Sequence, residues 1–204
     1  MGSTGALHDR AVPLAEEEQL RAHFYGLLAK FLSEPPASEL LAAAGKLKGD
    51  DTPLGSAITK FARVCQFCDP AAAGQEYQDL FIGLGRGELL PYGSFYLTGF
   101  LHEKPLARLR EDMAELGFEK KGGVSEPEDH AASVLEMMAG LIDGRFGRAA
   151  DARRQKKFFN AHVVSWMPVF FQDLQSASSS TMYAALADVA LQFLAIETDA
   201  LQLE

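Results

Sequence analysis

Cysteine is scarce in this chain, with two in 204 residues. That is too few for a disulfide scaffold. A structural zinc site would need two further ligands, and no other cysteine exists to supply them. Positive charge is also short: 19 basic residues stand against 28 acidic ones, for a net charge of -9. With no basic excess to neutralise phosphates, nucleic acid is excluded as the main partner, while a basic peptide is compatible. No apolar run reaches the roughly 20 residues that span a bilayer, so no stable membrane insertion is expected. The first residues, MGSTGALHDRAVPLAEEEQ, lack a charged-then-apolar leader pattern and a twin arginine, which predicts a cytoplasmic location. Residues 1–14 are expected to be a flexible N-terminal segment. The alternation of strands is missing as well, because apolar residues recur at three and four rather than two. There is no internal repeat and no long low-complexity segment.

What is present is apolar mass at helical spacing. The chain is 48% hydrophobic with 14 Phe, enough for a substantial core. Glu16 to Leu32 reads as a helix with Leu20, Phe24, Leu27, Leu28 and Phe31 inward, ended by Pro35-Pro36. Ser38 is placed to cap a short helix through Leu47, with Leu40, Leu41, Ala44 and Leu47 inward. Thr52 with Pro53 opens a third helix with a stripe of Ile58, Phe61, Cys65 and Cys68, and Pro70 stops it. Ala71 to Ile82 is a fourth, with Tyr77 and Phe81 one turn apart. A turn of helix is expected within Ser94 to Leu101, and another helix from near Pro105 to Gly117. Ser125 and Glu128 form an S-x-x-E capping box for a helix to about Phe146. Asp151 to His162, Ser165 to Leu174 and Thr181 to Leu201 follow, the last with Leu186, Val189, Phe193 and Ile196 on one face. The expected fold is all-α, a single compact domain of eight to ten helices over residues 15–204.

Chemistry-bearing residues concentrate between Tyr77 and His130. Cys65-Gln66-Phe67-Cys68 lies at a helix end, where the dipole disfavours thiolate, and continues an apolar stripe; core packing is the expected role. Gly83-Leu84-Gly85-Arg86-Gly87 fits neither phosphate-binding glycine pattern and follows a helix. It predicts a helix exit and a close backbone crossing, with weak nucleotide contact as a minor option. Asp129-His130 resembles a catalytic pair, but adjacent helical residues point about 100° apart and no nucleophile elbow exists. Capping explains Glu126, Glu128 and Asp129, which are expected in a first helical turn. His162 is expected in the core with a hydrogen-bond partner rather than on a metal. Arg153, Arg154, Lys156 and Lys157 are expected to form a solvated face.

The stretch ELLPYGSFYLTG, followed by KPLARLREDMAELGF and SEPEDHAASVLEMM, resembles the TorD/DmsD/NarJ family of molybdoenzyme maturation chaperones. FFNAHVVSWMPVFFQDL and MYAALADVALQFLAIE extend the resemblance, which covers most of residues 20–197. Its sharpest motifs are Leu90-Pro91-Tyr92 with Ser94 and Tyr96, and Glu126-Pro127-Glu128-Asp129-His130. The resemblance implies a TorD-like helical fold and a non-enzymatic chaperone. Its partner would be the catalytic subunit of a molybdopterin-dependent oxidoreductase of the DMSO/TMAO reductase or formate dehydrogenase type. The chaperone would bind the apo-enzyme and its twin-arginine signal peptide, aid cofactor insertion and delay export. The form of ELLPYGSFYLTG points to the formate-dehydrogenase-linked branch.

Carried over by motif, the peptide surface comprises Tyr77, Phe81, Leu90, Pro91, Tyr92, Pro127, Asp129 and His130. Glu126, Glu128 and Glu88 would add acid, and Leu89 and Phe95 would add apolar wall. Carboxylates would pair guanidinium groups, and an apolar groove would take the run after them. No cofactor is implied, with weak GTP binding left open. A monomer or a homodimer is expected, the latter by helix exchange at Ser176 to Ser180. The alternative is a small metal- or nucleotide-dependent enzyme using Asp129 and His130.

Overall fold

The computed structural model describes residues 15–118 and 126–203. Among them are ten α-helices and no strand, only a single antiparallel bridge between Tyr92 and His130. In chain order these are α1 (Glu16–Ser33), α2 (Ser38–Ala44), α3 (Pro53–Phe67), α4 (Pro70–Tyr77) and α5 (Gly93–Thr98). Then come α6 (Lys104–Leu116), α7 (Ala131–Asp143), α8 (Ala152–Phe158), α9 (Met167–Ser176) and α10 (Met182–Gln202). Two helices end in a wider π-helical turn: α4 runs on through Gln78–Ile82 and α8 through Phe159–Val163.

The centre of the fold is α7, AASVLEMMAGLID. It is apolar on nearly every side, the pattern of a helix covered all round, and all but three of its residues are buried. α1 lies along it, α8 meets it, and α10 packs on α9 and α3. The core is rich in aromatics: Phe24 stacks on Phe193, and Tyr25 and Phe31 meet Phe193 and Phe61 edge-on.

Several expected boundaries hold. Thr52 accepts the Gly55 N–H with Pro53 as first helical residue, and Gly117 takes the left-handed conformation past α6. Others shift. Pro70 does not stop α3, which ends at Phe67; it is the first residue of α4, capped by Asp69. Ser38 does not cap α2, whose flanking residue is Ala37. Leu20 is 55% exposed and Leu47 is exposed too, because the inward stripe of α1 is Ala22, Tyr25, Leu28 and Leu32 and α2 ends at Ala44. Ile196 is 50% exposed, since the inward position on the last turns of α10 is taken by Glu197. α7 begins at Ala131, not near Ser125, so Glu126, Glu128 and Asp129 precede it rather than forming its first turn. Ser125 itself lies outside the described residues, as do residues 1–14.

Candidate functional site

The site begins at the end of α4. Tyr77 and Phe81 meet edge-on at 5.1 Å between ring centroids, and both rings rest against Tyr183 of α10. The π-helical turn ends at Gly83, whose φ of +61° and extended ψ suit glycine alone. The chain then doubles back. The Glu88 N–H donates to the Asp79 carbonyl and the Leu89 N–H to the Leu80 carbonyl. Gly87 passes so close that a Cβ there would lie 2.4 Å from the Phe81 carbonyl carbon. The glycine-rich segment is thus a helix exit and a backbone crossing. Arg86 lies over the Phe95 ring at 5.6 Å.

This return places the 91–93 backbone against residues 129–131. The Gly93 N–H donates to the Asp129 carbonyl at 2.9 Å and the Ala131 N–H to the Pro91 carbonyl at 2.8 Å. The two segments that carried the resemblance are therefore paired in space. Tyr92 packs edge-on to His130 at 5.2 Å, and its hydroxyl donates to the Glu126 carboxylate. Burial raises the Tyr92 phenol well above its usual range, and Glu126 adds to the effect. Tyr77 is pushed up to about 12, by burial first and then by the charge of Glu126. Tyr77, Phe81, Tyr92, Glu126 and His130 thus form one cluster with an aromatic wall and an acidic edge. Leu90 is half-buried beside it, Pro91 is buried, and Pro127 is half-buried with its carbonyl accepting the His130 N–H.

The other acids are held in different ways. Asp129 is 3% exposed, and its Oδ2 accepts the Ser94 N–H at 2.7 Å, so it caps α5 from across the chain. Its Oδ1 is buried without a partner. His130 caps α7 with its own ring, Nδ1 accepting the Ala132 N–H at 3.2 Å. Burial lowers the His130 pKa, against the opposing pull of Glu126 and Asp129. Glu128 is gripped by Arg110, whose Nε and Nη2 donate to one carboxylate oxygen at 3.0 and 2.8 Å. Glu88 faces away from the cluster: it accepts the Ser178 N–H and hydroxyl and the Ser179 N–H, which hold it at about 2. Phe95 sits on α5 beyond Tyr92, and Leu89 packs partly into the core.

Behind Asp129 is a cavity of about 360 Å³ lined by Gly93, Lys104, Arg108, His162 and Trp166, among others. His162 is a buried histidine bonded to Asp112 at 2.7 Å, and its carbonyl accepts the Trp166 indole N–H. Among the described residues no group of three or more His, Cys, Asp or Glu is placed to hold a metal. Cys65 is buried, its thiol pushed up to about 12 by burial and then by Cys68, so it packs in the core, while Cys68 is half-buried. No described helix is long and apolar enough to cross a membrane. Sequence reasoning missed Tyr183 and Arg110, the groups that brace Tyr77 and Glu128, and gave Ser94 of the motif no part in holding Asp129. Only the one-turn spacing of Tyr77 and Phe81 hinted that a third ring was needed.

Three comparisons bear on this arrangement. A family model described as nitrate reductase delta subunit matches residues 47–172. The chaperone protein TorD of Vibrio cholerae is 30% identical over 126 residues, covering 58% of this chain and 57% of that one. The TorD of Aliivibrio fischeri is 29% identical over 132 residues, 60% of each chain. The match thus spans less than two thirds of these curated relatives. Among solved structures, one described as a redox enzyme maturation protein from Archaeoglobus fulgidus superposes with a TM-score of 0.57 at 22% identity. It covers 86% of this chain and 93% of that one, and what it shares is the all-helical fold.

Proposed function

This chain belongs to the nitrate reductase delta subunit family, and on that premise we propose that it is a cytoplasmic, non-enzymatic chaperone for redox enzyme maturation. Its client is a molybdopterin-dependent oxidoreductase. It binds the apo form and twin-arginine signal peptide of the catalytic subunit, aids cofactor insertion and delays export. The observation that carries this reading is the meeting of Tyr77, Phe81, Tyr92, Glu126 and His130 on one face. A twin-arginine leader presents guanidinium groups and then an apolar run, which fit an acidic edge and an aromatic wall.

The roles on that face divide. Glu126, exposed at the edge, meets guanidinium; Tyr77, Phe81, Leu90 and Tyr92 contact the apolar run. Pro91, Pro127, Asp129 and His130 position these groups from below. Glu128 and Glu88 act through Arg110 and the Ser178 loop and do not touch peptide.

The test is calorimetric titration with twin-arginine signal peptides and their Lys-Lys counterparts at two salt concentrations. Saturable binding, weakened by Lys-Lys and by salt, is expected, with Glu126→Gln about tenfold weaker at an unchanged Tm. Absence of binding to every leader would overturn the signal-peptide reading.

A further inference from the structure

On the other side of α4 lies a second concave surface. Successive helical residues turn by about 100°, so a helix can present two distinct stripes. Tyr77 and Phe81 form one. Ala72, Gln75, Glu76 and Asp79 form the other, at one-turn spacing. That stripe faces Lys60, Arg63, Val64 and Phe67 of α3, which repeat the same spacing. Between them is an open groove of about 810 Å³ with Met182 at the start of α10 also lining it. Phe67 stands in it 78% exposed.

The charges of the two walls are not equivalent. Glu76 is committed to the start of α10, its carboxylate accepting the N–H groups of Thr181, Met182 and Tyr183. Asp79 accepts from Gln75. On the facing wall Lys60 has only a 3.9 Å pairing with Asp188, and Arg63 enters no ion pair among the described residues. A chain of net charge -9 thus keeps two available cations beside an exposed Phe. Glu76 and Asp79 keep their charge on the α4 wall, so the match is local: a carboxylate on the α3 side of an apolar ridge meets Lys60 and Arg63.

We propose that the α3–α4 groove is a second docking surface, which takes a helical segment of a partner protein whose apolar ridge is flanked by carboxylates. Two helical walls of equal spacing suit a third helix between them. The ridge covers Phe67 and the exposed part of Val64, and the carboxylates pair with Lys60 and Arg63. The surface does not depend on the leader-binding face.

The test uses the full chain and a fluorescein-labelled helical peptide with leucines at one-turn spacing flanked by glutamates; an isomer with lysines in their place is the control. Anisotropy is expected to give saturable binding of the glutamate peptide and protection of Cys68 from maleimide, since Cys65 is buried. The lysine isomer and the Phe67→Ser variant are each expected to bind about tenfold more weakly. A Lys60→Glu, Arg63→Glu double variant should invert the preference between the two peptides. All these substitutions are at exposed positions and leave the fold in place. Absence of saturable binding, equal affinity for both peptides, indifference to the variants, or displacement by an unlabelled twin-arginine peptide would each overturn the proposal.

Discussion

Asp129 joins two segments with one carboxylate: Oδ2 holds the first turn of α5, and Oδ1 is buried without a partner. Asp129→Ala is expected to lower stability by about 1–2 kcal/mol, the usual loss of a side-chain cap. Asp129→Asn keeps an oxygen for the Ser94 N–H and places an amide at the unpartnered position, so it should lose less. Urea midpoints decide; equal loss in the two variants would remove the capping role. His130 gives a pH dependence. Its Nδ1 accepts the Ala132 N–H only when unprotonated, and burial holds its folded pKa below the ordinary imidazole value of about 6.5. The unfolded chain therefore binds more protons below pH 6.5, and stability falls as pH drops through that value toward the folded pKa. His162 is shifted in the same direction by burial and adds to the slope. The urea midpoint should fall from pH 7.5 to 5.5, and less so in a His130→Asn variant.

At the scale of elements, local signals were legible and distant ones were not. Thr52-Pro53 and Gly117 acted as the sequence suggested, because cap and helix are adjacent in the chain. The S-x-x-E signature before α7 misled because its acids have remote partners: Glu128 goes to Arg110, and Asp129 to Ser94. A charged hydrogen bond across the fold outweighs a local cap. The π-helical turns left no trace in the apolar spacing, since one extra residue per turn is lost within a five-residue segment. What the sequence did carry was the exit at Gly83. Gly83→Ala would force a positive φ and bring its Cβ within 2.0 Å of the Arg86 carbonyl oxygen. A loss of about 2–3 kcal/mol is expected by thermal denaturation, with a smaller loss for Gly85→Ala, where φ is +94° but nothing lies within 4 Å.

For the whole molecule, the all-helical class followed from the period of the apolar residues, and the two motifs that carry the resemblance meet in space. The polar network binding the two ends of the chain was invisible. Arg21 of α1 donates to both oxygens of Glu197 on α10, at 2.7 and 2.9 Å, and to Gln155 of α8; Tyr25 adds its hydroxyl to Glu197. Nothing in either segment alone pairs residues so far apart. Arg21→Met strands a carboxylate that is 1% exposed and is expected to cost about 3–5 kcal/mol by chemical denaturation. Arg21→Met with Glu197→Leu should recover most of that loss, as replacement of a whole buried pair commonly does.

The loop before α10 sets a tempo. Its donors from Ser178 to Tyr183 close on two carboxylates from elsewhere in the chain, Glu88 and Glu76. Neither clamp frees the helix alone, so the last helix leaves only when both release together and its apolar face is exposed as well. Its departure is then as rare as global unfolding, and amides along α10 should exchange as slowly as those of α7.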